Sequence, residues 1–379
     1  MPEVADSGGS PTRVLRLGRP FGLALALVAA TCTADAGHLR KVWEFNLGGA
    51  ASAPSIGVFA LSFSPDEQRI LAVAGKSWRD EFVLILGTSG PQGYKKRLDV
   101  NPEIWELEPA SYLPPGGKSI RWSASGRQVL LGHLMVDLTS GNSCSLPEAA
   151  LEPGYFFVGP TQILGRSLSR AGPLPRLSFF NLNCQHSETA DLGTDSDLLD
   201  VSADRGLLCL RQDQAGNAAP RSVLVMEASS RKIIRRRPWS ITAKFADGGK
   251  AVCGVGGTNW HRTVSCSDDT GKVFGETSGW SAVDLRTALH AKRAVLSDYG
   301  RKLDWIDFFW ALGSFKRRAV WDFDTGKELV SWHPKSQTVV TGDYQNTGHS
   351  EPYRFAISPD GEFVVEGGAG SVALYKIEP

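Results

Sequence analysis

The chain has 379 residues, 42% of them apolar, enough for one large all-β domain or two ordinary ones. Lysine and arginine number 41 against 40 for aspartate and glutamate, so no global field exists to gather nucleic acid or an anionic membrane, and neither partner is expected. Glycine at 41, proline at 21 and tryptophan at 11 point to turns and aromatic strands rather than to helices, whose interiors disfavour glycine and proline.

The N-terminal stretch follows a different grammar from the rest. Arg13, Arg16 and Arg19 precede an apolar run from Phe21 to Ala30, too short to span a bilayer. Ala34-Asp35-Ala36 supplies the small residues that signal peptidase needs, so residues 1–36 are expected to be a secretory signal peptide cleaved after Ala36. Residues 37–379 would then form a single secreted or periplasmic domain with no stable membrane insertion. An uncleaved anchor is the alternative, and Cys32 as a lipid-attachment site is another, weakened by Thr31 before it. Cys144, Cys184, Cys209, Cys253 and Cys266 remain after cleavage; an odd number leaves at least one unpaired within the chain. None has the C-x-x-C spacing of a redox or zinc site. Cys209 and Cys253 stand in apolar strand runs and read as small core residues, while Cys253 with Cys266 is the pair suited to bridging neighbouring strands.

In chain order, the first predicted element is a strand at Lys41 to Leu47, with Trp43, Phe45 and Leu47 on one face and Glu44 and Asn46 on the other. A hairpin motif then recurs. Its near copies begin at Phe63-Ser64-Pro65-Asp66, Trp122-Ser123-Ala124-Ser125-Gly126, Val201-Ser202-Ala203-Asp204 and Phe245-Ala246-Asp247-Gly248, and degenerate copies begin at Phe157 and Leu289. The clearest is Ser358-Pro359-Asp360-Gly361, whose residues suit a type I turn: Ser first, Pro presetting φ, then Asp and Gly. That makes seven. Several are followed by an alternating strand, a polar turn and another strand, as in Val320-Trp321-Asp322-Phe323-Asp324-Thr325-Gly326-Lys327, with weaker versions at Met135, Val223 and Val264. Each unit is therefore four antiparallel strands that cannot bury both faces alone, which is the physics of a propeller blade.

The pattern resembles the WD40 and YVTN-like bacterial seven-bladed β-propellers of the quinoprotein-dehydrogenase-like superfamily, over about residues 38 to 379. Trp321-Asp322 with Thr325-Gly326-Lys327 is similar to the family's third strand and following turn, and the Ser-Pro-Asp-Gly hairpins to its first turn. Gly348-His349 stands where the family's Gly-His dipeptide would, but the other copies lack it, so a buried Asp-His network in every blade is not implied. The resemblance implies an all-β, seven-bladed β-propeller. The last unit has three strands, and Lys41 to Leu47 is expected to complete it beside Val372 to Ile377, leaving no unpaired edge.

On that frame, the long insertions Gly75 to Glu81, Asn101 to Lys118, Arg166 to Arg176, Arg211 to Arg221, Gly256 to Arg262, Gly300 to Arg317 and Gln337 to Arg354 share one face. Candidate ligand-binding residues there are Trp78, Arg79, Trp105, Trp260, His261, Trp305, Tyr344 and His349, because indole rings offer stacking surfaces for a sugar, a peptide or a cation. The alternative is that the tryptophans pack between blades and hold the insertions in place. No H-E-x-x-H, H-x-H or G-x-S-x-G spacing occurs, and Gly254 to Gly257 and Gly367 to Gly370 link strands rather than a strand to a helix; no catalytic residue, metal or cofactor is assigned. Arg231 to Arg237 reads as the solvated charge of an outer edge strand, with an anionic-polymer patch as the alternative. Asp304 to Leu312 is an unusually apolar insertion, either a distorted strand or a small helix. A monomeric binding or scaffolding module for a protein, peptide or glycan is expected, more so than an enzyme; a lactonase-like hydrolase or a quinoprotein-type oxidoreductase is the alternative.

Overall fold

In the computed structural model, the described residues are 37–47, 56–75, 81–90, 96–98, 120–147, 150–168, 175–191, 196–212, 222–238, 240–258, 261–280, 283–298, 317–333, 355–368 and 370–378. The chain divides into two units, 1–36 and 37–379, and every described residue belongs to the second.

These residues build seven four-stranded antiparallel sheets. Six are continuous in sequence: blade 1 from Gly57 to Leu98, blade 2 from Ile120 to Ser145, blade 3 from Ala150 to Asp191, blade 4 from Ser196 to Pro238, blade 5 from Thr242 to Trp280 and blade 6 from Val283 to Trp332. Blade 7 is shared between the ends, three strands from Phe355 to Glu378 and a fourth at His38–Asn46. The seven hairpin copies open the seven blades, each at the turn between the first and second strands.

The expected closure is present. His38–Asn46 pairs antiparallel with Ser371–Glu378, with Trp43 opposite Leu374 and Phe45 opposite Val372. A bulge at Val42 resets the alternation, leaving Val42 exposed while Trp43, Phe45 and Leu47 pack on the seam between blades 7 and 1. The Trp43 indole N–H donates to the Thr88 carbonyl of blade 1 at 3.0 Å, fixing the strand to both neighbours.

The hydrophobic core is a ring of seams rather than one centre. Each of seven clusters joins one blade to the next, from Ala60, Leu71 and Val73 against Ile120, Val129 and Leu131 round to Val295 and Val320 against Phe355 and Val364. A sheet covered on both faces has no solvent side, so inner and middle strands read as unbroken apolar runs such as Ile70 to Ala74.

The turn motif has a local cause. The Ser358 hydroxyl accepts the Phe363 N–H at 2.9 Å and the Asp360 carboxylate accepts the Glu362 N–H at 2.9 Å, so two side chains satisfy two turn amides. Ser64 and Asp66 repeat this with Arg69 and Gln68. Gly361 and Gly126 take left-handed φ values of 74° and 67° at the fourth position, and Glu67 occupies that position in blade 1 at 61°, a conformation a side chain adopts only with strain.

Gly275 shows a tighter constraint. It lies in the outer strand of blade 5 with φ 59°, and a Cβ there would stand 2.6 Å from the Phe323 carbonyl oxygen of blade 6. Gly275→Ala is expected to cost about 2–4 kcal/mol, from the left-handed φ and the backbone contact together. Urea unfolding checks this; a midpoint unchanged from the parent would remove the close approach from the argument.

Cysteine pairing differs in part from expectation. Cys253 and Cys266 face each other on the second and third strands of blade 5 and form a disulfide, Cα atoms 4.0 Å apart, so Cys253 is bridged rather than a free core residue. A second disulfide, Cys144 to Cys184, joins the outer strand of blade 2 to a turn of blade 3 with Cα atoms 5.9 Å apart. Cys209 is buried and unpaired, and burial pushes its thiol up to about 12.

The basic run is the outer strand of blade 4, as read, but alternate arginines turn inward. Arg235 bridges to the Asp269 carboxylate at 2.5 Å and the Asp268 carbonyl at 3.0 Å of blade 5, and Arg237 donates to the Val252 carbonyl. Arg231 pairs with Glu188 of blade 3. The outer strand presents Arg235 and Arg237 to the adjacent blade, and Arg231 reaches blade 3 from the turn before it, so these charges clasp neighbours instead of only solvating an edge.

Candidate functional site

Strand order fixes two unlike ends. In each sheet the first and third strands run one way and the second and fourth the other, so first-to-second and third-to-fourth turns share one end. Second-to-third and blade-to-blade connections share the opposite end. The turn-bearing end is built of connections such as 64–68, 123–127 and 358–362, whereas 99–119, 213–221, 299–316 and 334–354 leave and re-enter the sheets at the other end. Trp78, Arg79, Trp105, Trp260, Trp305, Tyr344 and His349 lie outside the described residues, as does the Asp304 to Leu312 insertion. His261 opens the third strand of blade 5, its backbone paired with Thr258 at the loop-rich end.

The innermost strands carry a layer that the hairpin motif did not single out. Counting two residues back from the closing pair of each inner hairpin gives Ser62, Arg121, Phe156, Asp200, Lys244, Arg286 and Ala356, one per blade. Four of the seven are charged. Asp284, two residues before Arg286 on the same strand, adds a carboxylate one layer away.

Partners within this layer are uneven. Asp200 accepts the Phe245 N–H at 2.8 Å and lies 3.5 Å from the Lys244 ammonium, which also donates to the Leu199 carbonyl at 3.4 Å. Asp284 meets Arg286 at 3.3 Å. Arg121 has neither ion pair nor hydrogen bond among the described residues; its guanidinium lies 4.4 Å from the centroid of the Phe156 ring, and its Nε is buried without a partner. Burial pulls the Lys244 ammonium and the Arg121 guanidinium below their usual ranges, the nearby Asp200 partly opposing it. Arg121 and Lys244 each sense Arg286, and in a seven-bladed ring blades 5 and 6 stand opposite blade 2, so the inner strands bring these charges within electrostatic range of one another around the central lumen.

At the turn-bearing end a cleft of about 380 Å³ opens among the turns of blades 5, 6 and 7, lined by Asp247, His290, Lys292, Arg293, Asp322 and Glu362 with three further residues. Several of its carboxylates are already committed: Asp324 to Lys292 at 2.8 Å, Asp322 to two turn amides, Asp360 to its own turn. Across the closure seam, Asp360 and Glu362 face Glu67, and burial followed by the Asp360 charge raises the Glu67 carboxyl to about 7. Among the described residues no three His, Cys, Asp or Glu side chains are grouped to hold a metal ion.

A carboxyl raised from 4.5 to about 7 contributes stability that is fully present below pH 4.5 and lost as pH climbs through 7. Stability of the parent is therefore expected to fall between pH 4.5 and 7.5 relative to Glu67→Gln, by on the order of 1 kcal/mol after allowing for solvent screening. Glu67→Gly should gain more, because it also relieves the left-handed φ. Melting at pH 4.5, 6 and 7.5 tests both; parallel curves for parent and Glu67→Gln would sink the raised Glu67 carboxyl.

No family model matches the chain and no curated protein matches it. Solved structures do. The β-propeller domain of Cps50 (Swd1) from Myceliophteria thermophila aligns over 88% of this chain and 99% of its own, with TM-score 0.52 and 12% identity. An oligogalacturonate lyase in complex with manganese aligns over 90% and 98%, with TM-score 0.53 and 10% identity. The oligogalacturonate lyase of Vibrio parahaemolyticus covers the same shares, with TM-score 0.54 and 9% identity. The chain is a seven-bladed β-propeller. At these identities the likeness establishes the fold and leaves chemistry to the chain's own residues, since propellers are similar to one another whether they carry binding surfaces or active sites. In this propeller, two sites stand apart: a loop-rich end fed by long connections, and a lumen layer with more positive than negative charge.

Proposed function

We propose that the propeller is an exported binding or scaffolding module that takes a protein, peptide or glycan on its loop-rich end. The observation carrying this reading is the inequality of the two ends: connections as long as 99–119, 299–316 and 334–354 enter one end, while the other is made of tight hairpin turns. A rigid ring that concentrates its variable connections on one rim presents a broad surface at little cost to its core. Trp105, Trp305, Tyr344 and His349 belong to those connections, Trp78, Arg79 and Trp260 to shorter ones at the same end, and His261 begins the strand that follows one of these.

Export is supported by the Arg13 to Ala36 segment and by two disulfides, which persist in oxidising compartments. N-terminal sequencing of the chain recovered from a periplasm is expected to begin at Gly37. Glycan and peptide arrays probed with the mature chain test the binding claim, with a variant in which 99–119 and 334–354 are replaced by short Gly-Ser links. Binding by the parent and loss in a variant of unchanged melting temperature supports the loop-rich end; silence across both arrays removes the reading.

A further inference from the structure

Among the described residues, the lumen layer and the one beside it hold three cations, Arg121, Lys244 and Arg286, against two carboxylates, Asp200 and Asp284. Lys244 is beside Asp200 and Arg286 beside Asp284, so the surplus positive charge resides on Arg121. Arg121 is half-buried with its Nε enclosed and unbonded, and the carboxylate it senses, Asp200, is already engaged by Lys244; such a guanidinium is costly, and a folded chain keeps one where it meets something charged. Arg121 is also held in place: Ile120 and Trp122 on either side of it pack into the seam with blade 1, and its own side chain is stacked on the Phe156 face of blade 3. Stacking leaves the in-plane N–H groups of the guanidinium as donors, the fork that matches two oxygens of a carboxylate or phosphate.

We propose that this layer of the lumen is a binding site for a small oxyanion, a carboxylate or a phosphate, in which Arg121 supplies the forked donor and Lys244 and Arg286 supply charge from the opposite wall. Asp200, with the Leu199 carbonyl, holds the Lys244 ammonium at the inner strand of blade 4, and its charge caps the number of charges the site accepts. The inference is independent of what docks on the loop-rich end: it concerns residues on the innermost strands, and its loss leaves the rim untouched.

The test is titration of the purified protein with sodium phosphate and, separately, sodium glucuronate, at constant ionic strength, followed by calorimetry and thermal melting. Saturable heat and a rising melting temperature are expected with at least one of them; phosphate alone assigns an inorganic oxyanion, glucuronate alone a carboxylate, and both the chemistry they share. Arg121→Met and Lys244→Met should abolish the response, and Arg121→Lys should weaken it by roughly tenfold or more, having charge but no fork. Without added anion, Arg121→Met should melt at or above the parent, because it removes an unpaired guanidinium, so a lost response is separated from a lost fold. Arg40→Gln, at the exposed outer strand of blade 7, should respond as the parent does. Retention of the response in Arg121→Met, no saturable response to either anion in the parent, or an Arg121→Met chain that melts well below the parent without anion would overturn the assignment.

Discussion

Removing residues 38–47 is expected to abolish cooperative folding of the propeller. The strand covers the outer edge of blade 7 along its length, with registered pairs from His38 opposite Glu378 to Asn46 opposite Ser371. It also brings Trp43, Phe45 and Leu47 onto the seam between blades 7 and 1, where Val58, Val372 and Leu374 are buried. Partial burial of three large side chains is worth about 4–6 kcal/mol, comparable with the 5–15 kcal/mol by which whole domains are stable. Truncated and parent chains compared by far-UV circular dichroism and size exclusion give the readout: a broad, early melt and association through the bared Ser371–Glu378 edge are expected. A synthetic peptide of residues 38–47 should restore the sharp melt by adding the missing strand in trans. A truncated chain that melts within a degree or two of the parent would show that the ring does not depend on this closure. Trp43→Ala alone should cost about 2–3 kcal/mol, since it loses ring contacts and the bond to Thr88.

Opening the disulfides is the second large effect. Cys144 and Cys184 close a loop of 40 residues and Cys253 and Cys266 one of 13, so chain entropy assigns about 4 and about 3 kcal/mol respectively. The two act on different boundaries. The longer one ties blade 2 to blade 3 at the outer rim, where the two blades otherwise meet through Leu130, Met135, Leu146 and Phe157. The shorter lies within blade 5 and stiffens one sheet. The double variants Cys144→Ser with Cys184→Ser, and Cys253→Ser with Cys266→Ser, are each expected to lower the denaturant midpoint, and reductant should affect neither beyond the bridge it retains. The unreduced chain of residues 37–379, unfolded in denaturant, should titrate as one thiol, Cys209. Five titrating thiols without reductant would refute both bridges.

Blade count was legible because its cause is local, and closure because the last unit holds three strands while His38–Asn46 belongs to no other. Ser64 with Asp66 and Ser358 with Asp360 satisfy the amides of their own turns, so the motif announces each hairpin wherever its sequence context lies. Glu67 departs from the repeat, and the departure marks a strained position rather than a missing blade. The pairing of Cys253 with Cys266 was readable for the same reason, since adjacent strands of one hairpin carry both. Cys144 and Cys184 were not, because their meeting depends on how blade 2 lies against blade 3. The lumen layer is harder still. Arg121, Asp200, Lys244 and Arg286 are scattered charges on inner strands, each from a different blade, and they coincide only when the hairpins are aligned on their closing pairs. Arg235 and Arg237 read as surface charge for a related reason: composition shows charge, whereas direction along an outer strand decides which charges clasp a neighbour.

The seam at blade 7 also orders events in time. The strand from His38 to Asn46 is synthesised first and its partner last, the Arg40 and Glu378 side chains being 338 residues apart in sequence. Blades 1 to 6 are continuous, so each can assemble as it emerges, but the early strand has no partner until blade 7 is complete. Joining such distant segments carries the largest loop entropy in the molecule, although that entropy grows only logarithmically with length when the intervening blades are already compact. A chain halted before Ser371 would hold six assembled blades and two unsatisfied edges, ready to pair with another chain in the same condition. Closure is therefore the last strand pairing that the seven blades require, and slowing it should favour strand-exchanged oligomers before it produces any loss of secondary structure.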